Sequence, residues 1–312
     1  FCKAGHEVAL NQLSLPVSHM KKPEYVTGGE LSVSENDKYI TVTGNNFSYI
    51  YCRHTATFIS IKIGEIEVLK KPISFNLWRA PIDNDASLLC DWKSKCGYPY
   101  ITSQSQNTKV TKLENKIIIS SNVDFVAANC LVWVRACVMW SVLSDGAILF
   151  NCDVAVDEKA PQYLPRFGLR IFLEPTYDRV NYFGYGPFES YIDSHSASKM
   201  GCYSARITEL MTHYIRPQDN GNHYNCRWVE IVGNNVLFRA EGESFDFSAL
   251  PYSQEELESA RHNHDLPTSE HTVLCVDYRN SGIGSHSPEL DEKYRLSQDN
   301  FSFSVRFKPE LI

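Results

Sequence analysis

No stretch of this sequence stays apolar for the roughly 18–20 residues that a membrane-crossing helix needs, and no signal segment opens it. Clustered lysine and arginine are also absent. Thirty basic residues against thirty-seven acidic ones leave a formal charge of −7, which argues against nucleic acid and anionic membrane surfaces as partners. The ten cysteines include no CxxC pair, so zinc-ribbon and dithiol-redox readings are weak. Thiols within apolar runs read instead as buried and reduced, as in a cytoplasm. GxSxG elbows, phosphate-binding P-loops, GxGxxG fingerprints and HExxH are missing. A glycosidase needs two carboxylates facing each other across the scissile bond, and no spacing singles out such a pair. The chain also does not start with Met. Phe1 opens inside what reads as an element, so a piece of a longer polypeptide is expected.

What is present is β-sequence. Hydrophobic residues make up 43% and charged residues 21% of 312, an ordinary globular balance. From Val8 to Leu15 apolar and polar residues alternate with one slip, as in a half-buried strand. Residues 17–36 carry Pro, Gly-Gly, Ser and charges without a period and read as a linker. Alternation resumes at Tyr39 in short pieces, among them Ile59 to Ile63, Ile117 to Phe125, Cys130 to Leu143, Ala147 to Val156, Phe167 to Leu173, Val273 to Tyr278 and Phe301 to Phe307. Asp145-Gly146 between two apolar runs is a strong hairpin signal. Helical sequence is scarce: Ser253 to Glu256 has capping-box spacing ahead of a short helix, and Asp85 to Lys95 offers a second. The pattern predicts one all-β domain over residues 37–312, an antiparallel sandwich with one or two short helices. No fixed-period repeat points to a propeller or solenoid.

Asn181 to Glu230 reads as a long, aromatic, polar loop region with tight turns at Gly184–Pro187 and Asp219–Gly221. Ordering such a loop costs about 1–2 kcal/mol per residue, so it is expected to have a task. Glu189, beside Tyr185 and Tyr191, is its best lone carboxylate for general-base work, with a satisfied loop carboxylate as the plainer reading. Residues 78–85 place Trp78, Arg79, Asp83, Asn84 and Asp85 together. Such a set suits a sugar face and its hydroxyls, or else an Arg–Asp pair fixing a loop. The downstream Gly and Glu of a calcium loop are absent after Asp85. His262, His264, Asp265 and His271 keep a zinc reading open against a polar loop.

Four motifs then occur in order: FNLWRAPIDND at 75–85, YFGYGPFESY at 182–191, MTHYIRPQDNG at 211–221 and DYRNSGIG at 277–284. Together they resemble the C-terminal, small-chain region of glycoside hydrolase family 2 β-galactosidases. GHEVA at 5–9 also resembles the closing strand of the preceding immunoglobulin-like domain, which would make residues 1–16 the tail of that domain. The resemblance implies a large antiparallel super-sandwich of the galactose-mutarotase kind. It also implies retaining hydrolysis of β-galactosides such as lactose by the full enzyme, itself a homo-oligomer. The catalytic glutamates and the magnesium and sodium ligands would lie mainly in an upstream (β/α)₈ barrel, leaving no catalytic or metal residue in this chain. What remains for it is a wall of the active site and part of the assembly surface, with the upstream domains as partners. In some relatives an aromatic after Gly-Ile-Gly stacks on the sugar; residues 284–290 read GSHSPEL here, so His286 is the only ring nearby, next to Ser287. Arg79, Asp83 and Asn84 would organise the substrate edge, and Ala86, Ser87 and Asp91 would face the catalytic domain. The alternative is a stand-alone carbohydrate-binding or mutarotase-like protein.

Overall fold

The computed structural model describes residues 2–13, 15, 29–284, 289–297 and 300–312. His286 and Ser287 lie outside the described residues. Seventeen strands run through it: β1 (Ser32–Glu35), β2 (Tyr39–Gly44), β3 (Phe47–Cys52), β4 (Thr57–Ile63), β5 (Ile66–Glu67), β6 (Lys71–Asn76), β7 (Thr102–Lys112), β8 (Lys116–Val126), β9 (Val132–Leu143), β10 (Ile148–Val156), β11 (Arg166–Leu173), β12 (Arg179–Gly186), β13 (Lys199–Arg206), β14 (Asn222–Val232), β15 (Val236–Leu250), β16 (Thr272–Asn280) and β17 (Asn300–Leu311). Helix is confined to short pieces, chiefly α1 (Ile207–Leu210) and α2 (Gln254–Ser259). Ser253 caps α2 by accepting from the Glu256 N–H, as the box spacing predicts. The second helical expectation resolves into a 3-10 turn at Asp83–Asp85 and a separate turn at Asp91–Cys96.

β1 to β5 form one antiparallel sheet and the remaining twelve strands a second. Strand β15 divides the larger sheet. Its first half pairs with β17 (Val236 opposite Leu311) and its last part with β16 (Asp246 opposite Asp277). From that fork, one wing runs through β17, β10, β9 and β8 to β7, and the other through β16 and β11 to β6. The large antiparallel sandwich expected from the sequence is thus the fold. Asp145-Gly146 does make the β9–β10 hairpin, with Gly146 at φ 82° and the Asp145 carboxylate accepting from the Ala147 N–H at 2.9 Å.

The core is aromatic. Trp140 is fully buried, meets Phe58 edge-on at 5.2 Å and Phe150 at 4.5 Å, and donates its indole N–H to Ala56 O. Tyr49 and Tyr51 tie the small sheet to the large one by donating to Gly146 O and by sharing a hydrogen bond with Ser121 Oγ. Truncating a side chain such as Trp140 to alanine typically costs about 3–5 kcal/mol.

Three readings of the sequence need correction. Residues 2–13 form no strand; Val8, Leu10 and Leu13 are exposed there, because what holds the segment is polar. Strand β1 falls inside the stretch read as linker, where it pairs with β2. The region read as one long loop contains β13, which among the described strands pairs with β12 alone, as well as α1 and the start of β14. Edge strands bury little, so their apolar alternation is faint.

Candidate functional site

The end of β6, the start of β11 and the end of β16 lie side by side, with Gly168 opposite Asn76 and Arg166 opposite Asn280. The four sequence motifs leave or enter the sheet at this end. Just past β6 the chain turns inward and buries Arg79, whose side chain is only 1% exposed. Its guanidinium grips Asp85 through two bonds, Nε to Oδ2 at 3.1 Å and Nη2 to Oδ1 at 2.7 Å. The same group donates to Ser281 O at 2.6 Å and Gly282 O at 3.1 Å. A planar fork is what this geometry requires, and lysine has none. Arg79 therefore supports the edge from beneath and does not face outward.

Asn84 completes the grip from the exposed side, its amide donating to Ile283 O (2.9 Å) and Gly284 O (3.2 Å). Asp193 accepts the Ile283 N–H (3.0 Å) and the Gly284 N–H (2.8 Å). Residue 282 must be glycine, since a Cβ there would sit 2.7 Å from the Asp193 carboxyl carbon. Three side chains from two distant segments thus hold residues 281–284 as a rigid ridge.

A cleft of about 410 Å³ lies on one side of the ridge, lined by Asn84, Ser87, Tyr163, Glu289 and Arg295 among others. Arg295 stacks on the Tyr163 ring at 5.4 Å and donates to Leu290 O at 2.8 Å. On the other side a smaller cavity of about 240 Å³ is bounded by Asp83, Asn84, Tyr191, Tyr214, Gln218 and Asp219. Asp83 is exposed at its rim, its N–H donating to Gln218 Oε1 at 3.1 Å. Of the loop residues expected to meet another domain, Ala86 and Ser87 are exposed and Ser87 lines the larger cleft; Asp91 is half-buried and pairs with Lys95 at 2.7 Å.

The carboxylates behind this surface are mostly engaged. Asp219 accepts from Tyr191 Oη at 3.0 Å and faces Arg166 Nη1 at 3.4 Å, and its own N–H donates to Ala80 O. Burial raises its pKa while Arg166 and Arg79 oppose the rise. Arg166 also pairs with the buried Asp277. Glu189, the candidate general base, accepts from Tyr214 Oη and from the Gly221 N–H at 2.9 Å, which makes it the satisfied loop carboxylate of the plainer reading. Burial and the neighbouring Glu189 push the Tyr214 pKa up.

The zinc reading is not supported. His262 and His264 stack on each other at the surface, while His271 turns to Glu256 at 3.0 Å. Among the described residues no group of three or more His, Cys, Asp or Glu side chains is placed to hold a metal ion. The sequence reading missed Asp193, Tyr163 and Arg295. Only the invariable need of turning backbone for hydrogen-bond partners hinted that residues 281–284 required such a clasp.

Residues 43–307 match the family model described as the β-galactosidase small chain. The chain is 32% identical to a β-galactosidase of Actinobacillus pleuropneumoniae over 98% of its length, and 33% identical to one of Staphylococcus xylosus over 89%. It spans only 30% and 28% of those relatives. A solved galactose 1-epimerase from Lactobacillus acidophilus covers 91% of this chain and 99% of its own at 7% identity, with a TM-score of 0.46. The matched stretch contains all four motifs and both walls of the ridge, and the chain belongs to the β-galactosidase small-chain family.

Proposed function

We propose that this chain is the C-terminal, non-catalytic part of a β-galactosidase, where it forms one wall of the active site and a share of the assembly surface. The observation that carries the reading is the clasp on residues 281–284. The polar groups that the sequence singles out are spent on shaping an edge, Arg79 and Asp85 on each other and Glu189 on a tyrosine and a turn, while Asp193 holds two amides of the ridge. A rigid rim lets a neighbouring reaction centre exclude water and orient a bound sugar without reorganising. Asp83, Asn84 and Ser87 stand at that rim, and Tyr163 with Arg295 supplies a flat face inside the larger cleft.

The full enzyme in this reading hydrolyses terminal β-D-galactosides such as lactose with retention. In this reading its reacting glutamates and its magnesium and sodium sites lie mainly in the upstream barrel. The upstream domains are the direct partners, and the assembled enzyme is a cytoplasmic homo-oligomer. All ten cysteines are free, which suits a reducing compartment. Among the described residues no helix is long and apolar enough to cross a membrane. The mutarotase-like alternative calls for a histidine and a glutamate facing one sugar, and neither cavity beside the ridge has a histidine among its described lining residues.

The test is complementation. This chain, the matching upstream portion, and their mixture are each given an aryl β-galactoside. Turnover appearing only in the mixture is the expected result. Turnover by this chain alone, abolished in Glu189→Gln, would overturn the reading.

A further inference from the structure

Residues 7–12 run alongside the edge strand β13 without joining it. Two polar staples hold them. Glu7 pairs with Lys199 at 2.6 Å, and the Gln12 side-chain amide accepts from Met200 N at 2.7 Å and donates to Met200 O at 2.9 Å. Between the staples lies a groove of about 500 Å³ whose inner wall includes Tyr185, His195 and Ser196. A cavity of that size suits one or two small rings.

The wall is an aromatic stack. His195 lies 5.1 Å from both Tyr185 and Tyr224, and the two tyrosines are 5.9 Å apart with nearly parallel planes. His195 Nδ1 donates to Tyr191 O at 2.9 Å, which fixes the ring and leaves Nε2 for another partner. Among the described residues that line the groove, the two charges, on Glu7 and Lys199, are paired with each other, so neither is left to draw an anion or a cation. What remains is neutral: the Asn11 amide, the Ser196 hydroxyl and the half-buried rings. A peptide strand is disfavoured as occupant, because the Gln12 amide already takes both backbone groups of Met200 that strand addition would use.

We propose that this groove binds a neutral saccharide, with the apolar face of a sugar ring against Tyr185 and His195 and its hydroxyls on Asn11, Ser196 and His195 Nε2. Rings supply the flat apolar contact and planar amides match vicinal hydroxyls. The proposal is independent of the reading given for the two cavities beside Asn84, and its test does not involve them.

The experiment is an NMR titration of the whole chain with lactose, following the His195 ring protons and the Tyr185 ring, with sorbitol and inorganic phosphate as controls. A saturable shift at both rings with lactose, absent with either control, is expected. Asn11→Ala, a change on an exposed segment, is expected to weaken the midpoint by about fivefold, as loss of one hydrogen bond does. His195→Ala, checked for a native circular dichroism spectrum, is expected to abolish saturation. Shifts that stay linear in lactose, that phosphate reproduces, or that persist unchanged in both variants overturn the proposal. Shifts confined to Asn84 and Tyr163 do so as well, while leaving the active-site-wall reading intact.

Discussion

Asp246 and Asp277 face each other across adjacent antiparallel strands, both essentially without solvent exposure. Their surroundings differ. Asp246 accepts the N–H groups of Asn225 (3.0 Å) and Asn280 (3.1 Å), whereas Asp277 has Arg166 on one oxygen and, among the described residues, no hydrogen-bond partner on the other. Burial is the main influence on Asp246 and pushes it from an ordinary 3.8 up to about 7, with the Asp277 charge adding to the rise and the two N–H groups opposing it.

That arrangement sets a pH dependence. A carboxyl whose folded pKa lies above its unfolded one binds its proton more tightly when folded. Its stabilising contribution is fully present below 3.8 and is lost as pH rises through about 7. Comparing urea midpoints across this window, the wild type is expected to lose more stability than Asp246→Asn, whose amide cannot titrate. Parallel profiles for the two proteins would refute the assignment.

Arg79→Ala is expected to destabilise the fold by about 3–5 kcal/mol, the usual effect of leaving a buried carboxylate unpaired. Asp85 is the group stranded, and the carbonyls of Ser281 and Gly282 lose their donor. Arg79→Lys should rescue little, because an ammonium cannot make two parallel bonds to Asp85 and reach both carbonyls as well. Chemical denaturation of the three proteins checks this; a loss below about 1 kcal/mol for the alanine variant would mean that the pair is dispensable.

For Asp193→Ala, the expected effect is local. Amide exchange at Ile283 and Gly284 should accelerate, while exchange in the central strand β15 changes by no more than the overall loss of stability requires. Asn84→Ala, at an exposed position, should leave those two amides protected by Asp193, since its bonds go to the carbonyls instead. Equal protection in all three proteins would show that the ridge holds itself.

The parts of the fold legible in the sequence were those with a buried face. β9 and β10 alternate visibly because Trp140, Val142, Ile148 and Phe150 point into the core, and Asp145-Gly146 marks their turn. β1, β7 and β13 escaped notice because each lies at the rim of a sheet. In β7 no residue is fully buried, so a strand reading TSQSQNTKVTK carries no apolar period. At the candidate site, an Arg–Asp pair within residues 78–85 was readable because its members are close in sequence, although which aspartate Arg79 takes was not. The carbonyls that Arg79 also holds lie some two hundred residues away, a separation that local pattern does not encode.

That separation has a consequence for how the chain comes to be folded. A contact between residues 202 positions apart can close only after all of the intervening polypeptide has been made, and closing so long a loop carries an entropic cost. During synthesis, Arg79 and Asp85 are made some two hundred residues ahead of the ridge they support and remain without it until the DYRNSGIG segment has left the ribosome. The clasp on the rim therefore cannot close before residues 281–284 have been made. A truncation that removes only the final tenth or so of the chain takes away the whole edge, although every residue of the WRAPIDND motif is still there.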